Sequence, residues 1–308
     1  MSNYLITIVT LIAIASLCGL ALNLQWGLGG LVNFGLFGFY MVAAYVCAIA
    51  VKADVPPLLA LLLAVVVTAI LSGATSLIAV RLSEDYLAIV TLGLAECVRL
   101  VVTHETWLTR GSLGISDISR PFQSNVGEAA SGPVLAAFAV MCVLVVYGVF
   151  ELLGRSPFGR VLRALREDAQ VAATLGKNVF SFRWRAFALG GAALGIAGSL
   201  HVFYYRYIDP TQFGPIITAY AFMAVIVGGR GSHRGVLVAA VVITTLLEAS
   251  RFLDNVTSFL NAEQLAALRL VVIGAALILT LILRPNGFGR EYRLVTGASG
   301  DKLDRTAQ

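Results

Sequence analysis

PLLALLLAVVVTAILSGATSLIAV, residues 57 to 80, carries no charged side chain. As a helix rising 1.5 Å per residue it would be about 36 Å long, enough to cross the roughly 30 Å of hydrocarbon in a bilayer. Lys52, Asp54 and the Pro56-Pro57 pair precede it and predict a tight turn after an earlier apolar run. Working outward, similar runs fall at 4–22, 30–51, 86–103, 133–153, 186–204, 214–228, 235–252 and 264–283. With 57–80 that makes nine candidate spans, of which 214–228 is short and reads either as a span or as a re-entrant, broken helix. The predicted fold class is an all-α polytopic membrane protein of eight or nine transmembrane helices.

Composition agrees with that reading. Of 308 residues, 58% are hydrophobic and 13% charged, and the mean hydropathy is +0.87. The sequence pI of about 9.2 could suggest a nucleic-acid partner, but the basic residues lie in short segments between apolar runs and no recognition motif accompanies them. Cys18, Cys47, Cys97 and Cys142 all lie inside apolar runs, with no CxxC or Cys/His spacing. They read as packing thiols, not metal ligands. The first run lacks a basic segment before it and a small-residue cleavage site after it, so a retained helix is expected.

Basic residues also set the orientation. The segment 155–185 holds Arg155, Arg160, Arg163, Arg166, Lys177, Arg183 and Arg185 against Glu167 and Asp168. The region after Leu283 adds Arg284, Arg290, Arg293, Lys302 and Arg305. Both are expected on the cytoplasmic side. Four spans between them agree with this, and counting back five puts the N-terminus and the 104–132 loop outside. Residues 1–295 form one membrane domain in this reading, and 296–308 a polar, disordered cytoplasmic tail.

Within 155–185, Val161, Leu165, Ala169, Ala172 and Gly176 recur at helical spacing. Ser156-Pro157 suits a helix start and Gly176 a left-handed helix end, so a short helix pair is predicted. A face of alanine and glycine buries little lipid-facing area and permits close approach of another protein. A lipid-surface helix and a solvated loop are the competing readings.

The segment EDAQVAATLG, 167–176, resembles the EAA-type loop of bacterial ABC importer permeases, in the variant of the branched-chain amino acid (LivM-like) permeases. The resemblance covers most of the chain: LNLQWGLGGLVNFG at 22–35, DYLAIVTLGLAECVRLV at 85–101, LTRGSLGISDISRP at 108–121, SPFGRVLRALRED at 156–168, DPTQF at 209–213, GGRGSHRG at 228–235 and RPNGFG at 284–289. It implies a permease subunit of a binding-protein-dependent importer in the bacterial inner membrane. The implied partners are a homologous second permease, two cytoplasmic ATPases that bind ATP and Mg, and an extracytoplasmic substrate-binding protein. The implied cargo is a branched-chain or other hydrophobic amino acid, with urea, short amides or small organic acids as alternatives. It also implies that Glu167, Ala172, Ala173 and Gly176 contact the ATPase, flanked by Arg163 and Arg166. The chain departs from the family's pattern at Arg110 and Leu113, where Gly and Asn are common.

Nothing in the chain matches the G-x-x-x-x-G-K-[ST] phosphate loop, and no hydrolytic constellation is evident, so an enzyme is not expected. Asn23, Gln25 and Asn33, interleaved with Gly27, Gly29, Gly30 and Gly35, read either as a broken helix beside the translocation path or as close small-residue packing. Arg110, Gly111, Ser112 and Gly114 mark an outer loop that is a gate, a docking surface or an ordinary surface loop. Glu96 and Arg99 stand at i,i+3 and can pair within the membrane. An ion-coupled transporter is the second functional class, and Glu96 is its fair candidate for a coupling carboxylate.

Overall fold

The computed structural model describes residues 2–79, 84–123 and 127–249, with isolated positions beyond. The 264–283 run, the 284–289 motif and the 296–308 tail lie outside the described residues, apart from isolated positions. Ten α-helices of six or more residues organise the described part, besides a single turn at Thr106–Thr109. These are α1 (Ser2–Leu22), α2 (Leu36–Lys52), α3 (Pro57–Ala79), α4 (Glu84–His104), α5 (Glu128–Arg155), α6 (Pro157–Glu167), α7 (Ala169–Thr174), α8 (Val179–Tyr205), α9 (Pro215–Gly228) and α10 (His233–Ala249). The chain is an all-α, multi-pass membrane protein. Six segments, Tyr4–Leu28, Pro57–Ser76, Tyr86–His104, Ala130–Arg155, Val179–Tyr205 and Pro210–Gly228, are long and apolar enough to cross a membrane, and Leu36–Lys52 is a shorter apolar helix.

Helix ends follow local chemistry. Pro57 opens α3 after a turn in which Asp54 adopts φ +61°. Ser156 Oγ accepts from Phe158 N at the start of α6, with Pro157 in the first turn. Asn178 Oδ1 accepts from Ser181 N and caps α8. The run at 30–51 is only partly helical, because helix begins at Leu36. Conversely α8 starts seven residues before its apolar run, carrying Arg183 and Arg185 as part of the helix.

α8 is the central, most buried span and packs most extensively on α3. Small residues make this possible. A Cβ at Gly195 would lie 2.6 Å from Val65 Cα, and one at Gly198 would lie 2.5 Å from the Tyr40 carbonyl oxygen. Such close backbone approach supplies van der Waals contact where a bilayer supplies no hydrophobic drive between helices. The outer faces of α3, α4 and α5 remain apolar and exposed, at Leu62, Val66 and Ile70, Ile89 and Val101, Leu144 and Leu152. Faces of that size fit a lipid or protein surround, not water.

Gly198→Leu should therefore destabilise the helix bundle by about 1–3 kcal/mol or more, through overpacking against α2. Gly148→Leu, on α5 with nothing within 4 Å of its added Cβ, should be tolerated. Thermal unfolding of the two detergent-solubilised variants checks the contrast.

Candidate functional site

The site begins where α1 stops being an α-helix. Asn23–Leu28 unwinds into a wider π-helical turn, and 29–35 runs without regular helix, with Gly30 at φ +70°. Backbone groups released by such a break need partners. Leu31 N donates to Gln25 O at 3.0 Å, and side chains satisfy others. Asn23, Gln25 and Asn33 are fully buried. Asn33 Nδ2 donates to Gln25 Oε1 at 2.9 Å, and Gly35 N donates to Asn33 Oδ1 at 3.0 Å. Gln25 Nε2 reaches the Phe187 carbonyl on α8 at 3.4 Å. Gly231 N donates to Asn23 Oδ1 at 2.9 Å, which directs the amide Nδ2 to His233 Nδ1, also at 2.9 Å. His233 Nδ1 is then an acceptor and its proton sits on Nε2.

These three polar residues form a buried frame, bonded to one another or to neighbouring segments, and none of them lines the cleft beside them. The side chains between them face a cleft of about 540 Å³, to which the segment contributes Trp26, Val32 and Phe34. Burial alternates along this stretch, with Leu31, Asn33 and Gly35 buried, Val32 half-buried and Phe34 40% exposed. Leu92 of α4 and one face of α9 (Thr218, Phe222, Ile226) complete the lining. Phe222 contacts both aromatic neighbours, with ring centroids 5.0 Å from Trp26 and 4.9 Å from Phe34. The alternation in LVNFG was the available signal for these residues. A smaller cavity of about 280 Å³ lies against the other face of α9, with Tyr40, His201, Gln212 and Glu248 in its wall.

The 155–185 segment meets the back of this frame. α6 and α7 are separated at Asp168, whose backbone is extended and whose carboxylate accepts from Gln170 N and Val171 N. The predicted continuous face is thus broken: Gly159, Leu162 and Leu165 bury one side of α6, and Ala172 alone is buried on α7. Gly176 has φ +77°, and Gly176 N and Lys177 N donate to Ala173 O and Ala172 O, a Schellman ending as expected. Arg163 and Arg166 turn inward. Arg163 Nη2 donates to Gly154 O at 2.6 Å, and Arg166 Nη1 donates to Gly27 O at 2.5 Å. Gly30 lies against the Arg166 backbone and stem, and Arg166 also pairs with Glu167 at 3.0 Å. Gly29 is buried beneath the Gln25 carbonyl. Ala173 and Gly176 are exposed, beside Val171 at 54% and Leu175 at 73%.

The other predicted residues lie elsewhere. Glu96 and Arg99 pair at 2.8 Å on α4, each about one third exposed, and neither lines the cleft. In the 105–123 loop, Arg110, Gly111 and Gly114 all have positive φ, a region that glycine adopts without strain and arginine does not. Arg110 and Ser112 are exposed, with Trp107 and Leu113 at 80% and 83%. The loop is fastened to the end of α8 by an Ile115–Ile208 bridge and by Arg120, which donates to the Phe203 and Tyr204 carbonyls. Burial, and then the charge of Arg206, lower the Arg120 pKa from its ordinary value.

Asn23→Leu strands Gly231 N and His233 Nδ1, and should cost about 1–3 kcal/mol of stability in thermal unfolding. Arg110→Gly should stabilise by about 1 kcal/mol, by removing left-handed strain from a side-chain-bearing residue, measurable in the same assay.

Comparison with known proteins follows the same map. The model of the family "Branched-chain amino acid transport system / permease component" matches residues 4–281. The chain is 30% identical over 305 residues to the high-affinity branched-chain amino acid transport system permease protein LivM of Salmonella typhimurium, covering 92% of this chain and 69% of that protein. It is 29% identical over 251 residues to the probable LivM of Methanocaldococcus jannaschii, with 80% and 72% covered. LivH of Salmonella typhimurium is 26% identical over 297 residues, with 91% and 92% covered. No solved structure matches. The chain belongs to the branched-chain amino acid transport system permease family, as a membrane-embedded transport subunit and not an enzyme.

Proposed function

We propose that this chain forms half of the import path for branched-chain or other hydrophobic amino acids in a binding-protein-dependent ABC importer of the bacterial inner membrane. A homologous second permease closes the open side of the Trp26–Phe34–Phe222 cleft. Two cytoplasmic ATPases bind ATP and Mg and engage the 155–185 segment, and an extracytoplasmic binding protein meets the 105–123 loop. In this reading nine spans place the N-terminus outside and the C-terminus in the cytoplasm, and 296–308 is a disordered tail. The apolar cleft lining favours aliphatic cargo over urea or small amides.

The observation that carries the reading is the Arg166–Gly27 contact. The wall of the cleft and the ATPase-facing segment share a hydrogen bond, so movement of one displaces the other without a long relay. Docking rests on the outward residues of α7 and the turn that ends it, Val171, Ala173, Leu175 and Gly176, with Glu167 at the rim. Ala172 supports that surface from beneath. An ion-coupled mechanism needs a carboxylate at the path, whereas Glu96 is held by Arg99 away from the cleft.

Leu175→Arg should lower ATPase co-purification at least tenfold while membrane insertion continues, because it introduces a charge into an apolar contact. Arg166→Ala should leave assembly intact and reduce uptake per ATP hydrolysed. Unchanged co-purification and uptake in Leu175→Arg would remove α7 from the interface. Full coupling in Arg166→Ala would remove Arg166 from transmission.

A further inference from the structure

One cation stands at the edge of the cleft. Arg230 is exposed, and its Cζ lies 4.7 Å from the centroid of the Trp26 ring. Its backbone is held on both sides. Gly229 and Gly231 have φ +97° and +84°, Ser232 N donates to Gly229 O at 3.0 Å, and Gly231 N is fixed by the buried Asn23 amide at 2.9 Å. Gly289 N adds a bond to Gly228 O at 2.9 Å. The Asn23 frame therefore positions a guanidinium against a cleft-lining indole.

The cleft itself offers little to a charged ligand. Among its lining residues, Thr218 and the Trp26 indole are the only polar side chains. An aliphatic amino acid can lay its side chain against Phe34, Phe222 and Leu92, but its carboxylate needs a strong partner once water is displaced. A planar guanidinium is the side chain best matched to a carboxylate, and its perch on an indole face keeps it organised for that task.

We propose that Arg230 is a specificity-determining residue of the path, taking the carboxylate of an aliphatic amino acid whose side chain occupies the cleft. This rests on the amino-acid cargo proposed above. In the carboxylate-bound arrangement the guanidinium keeps its contact with Trp26, so the ring reports occupancy.

The test uses the assembled transporter in nanodiscs, labelled with 5-fluorotryptophan, the Trp26 resonance being assigned by its loss in Trp26→Phe. Leucine should shift that resonance. Leucinamide, which has the same side chain without the carboxylate, should not. In Arg230→Gln the apparent affinity for leucine should fall at least about tenfold, as expected for losing a charge-assisted hydrogen bond, with Arg230→Lys in between. Equal responses to leucine and leucinamide, no response to leucine, or undiminished affinity in Arg230→Gln would overturn the proposal. If Arg230→Gln fails to fold, the comparison of the two ligands on the unmodified protein decides. ATPase co-purification is a separate readout, so the importer assignment stands or falls independently.

Discussion

Ending a helix among apolar surroundings leaves amide and carbonyl groups that no water can satisfy, and the structure around residues 23–35 is organised by that constraint. Asn23, Gln25 and Asn33 bond the freed strand to itself, to α8 and to the turn before α10. Arg166 takes the Gly27 carbonyl from the other side. With those groups satisfied the stretch can stay free of regular helix, and its residues alternate between buried and more exposed positions. The polar frame and the apolar cleft wall are thus two faces of one short run of sequence.

The same economy of space governs the centre of the bundle. The glycine-rich row on α8 lets α3 and α2 approach its backbone, and Gly190 leaves room for the Gln25 amide. Close packing and polar satisfaction are coupled there, since a bulkier residue at 190 would displace a hydrogen-bonding group. The fastened 105–123 loop and the inward-turned arginines of α6 show a similar pattern: charged or strained residues are anchored to helix-end carbonyls, where the macrodipole favours a cation.

Much of this was legible in the sequence. Uninterrupted apolar runs fixed the class, because few soluble folds need them, and Ser156-Pro157 and Gly176 marked local ends correctly. What local pattern could not supply was direction. Asn and Gln in an apolar run look alike whether they line a path or bind a neighbour, and the partners of Asn23 and Gln25 lie 210, 208 and 162 residues away. The resemblance implies Arg163 and Arg166 only as flanks of an ATPase contact, because nothing nearby announces that Gly154 and Gly27 have carbonyls to offer. Helical spacing carried the face from Val161 to Gly176 straight across Asp168, where an extended residue resets the phase.

The long reach of the Asn23 bonds has a consequence for biosynthesis. At roughly 5–20 residues per second, His233 leaves the ribosome about 10–40 s after Asn23, given their separation of 210 residues. During that interval the first hairpin exists without the groups that later complete its hydrogen bonds. Its amides must stay hydrated, sheltered by the insertion machinery, or bonded to temporary partners until α10 arrives. The last described helix therefore acts as the latch on the first, and the N-terminal part of the bundle reaches its final form only after α10 has been made.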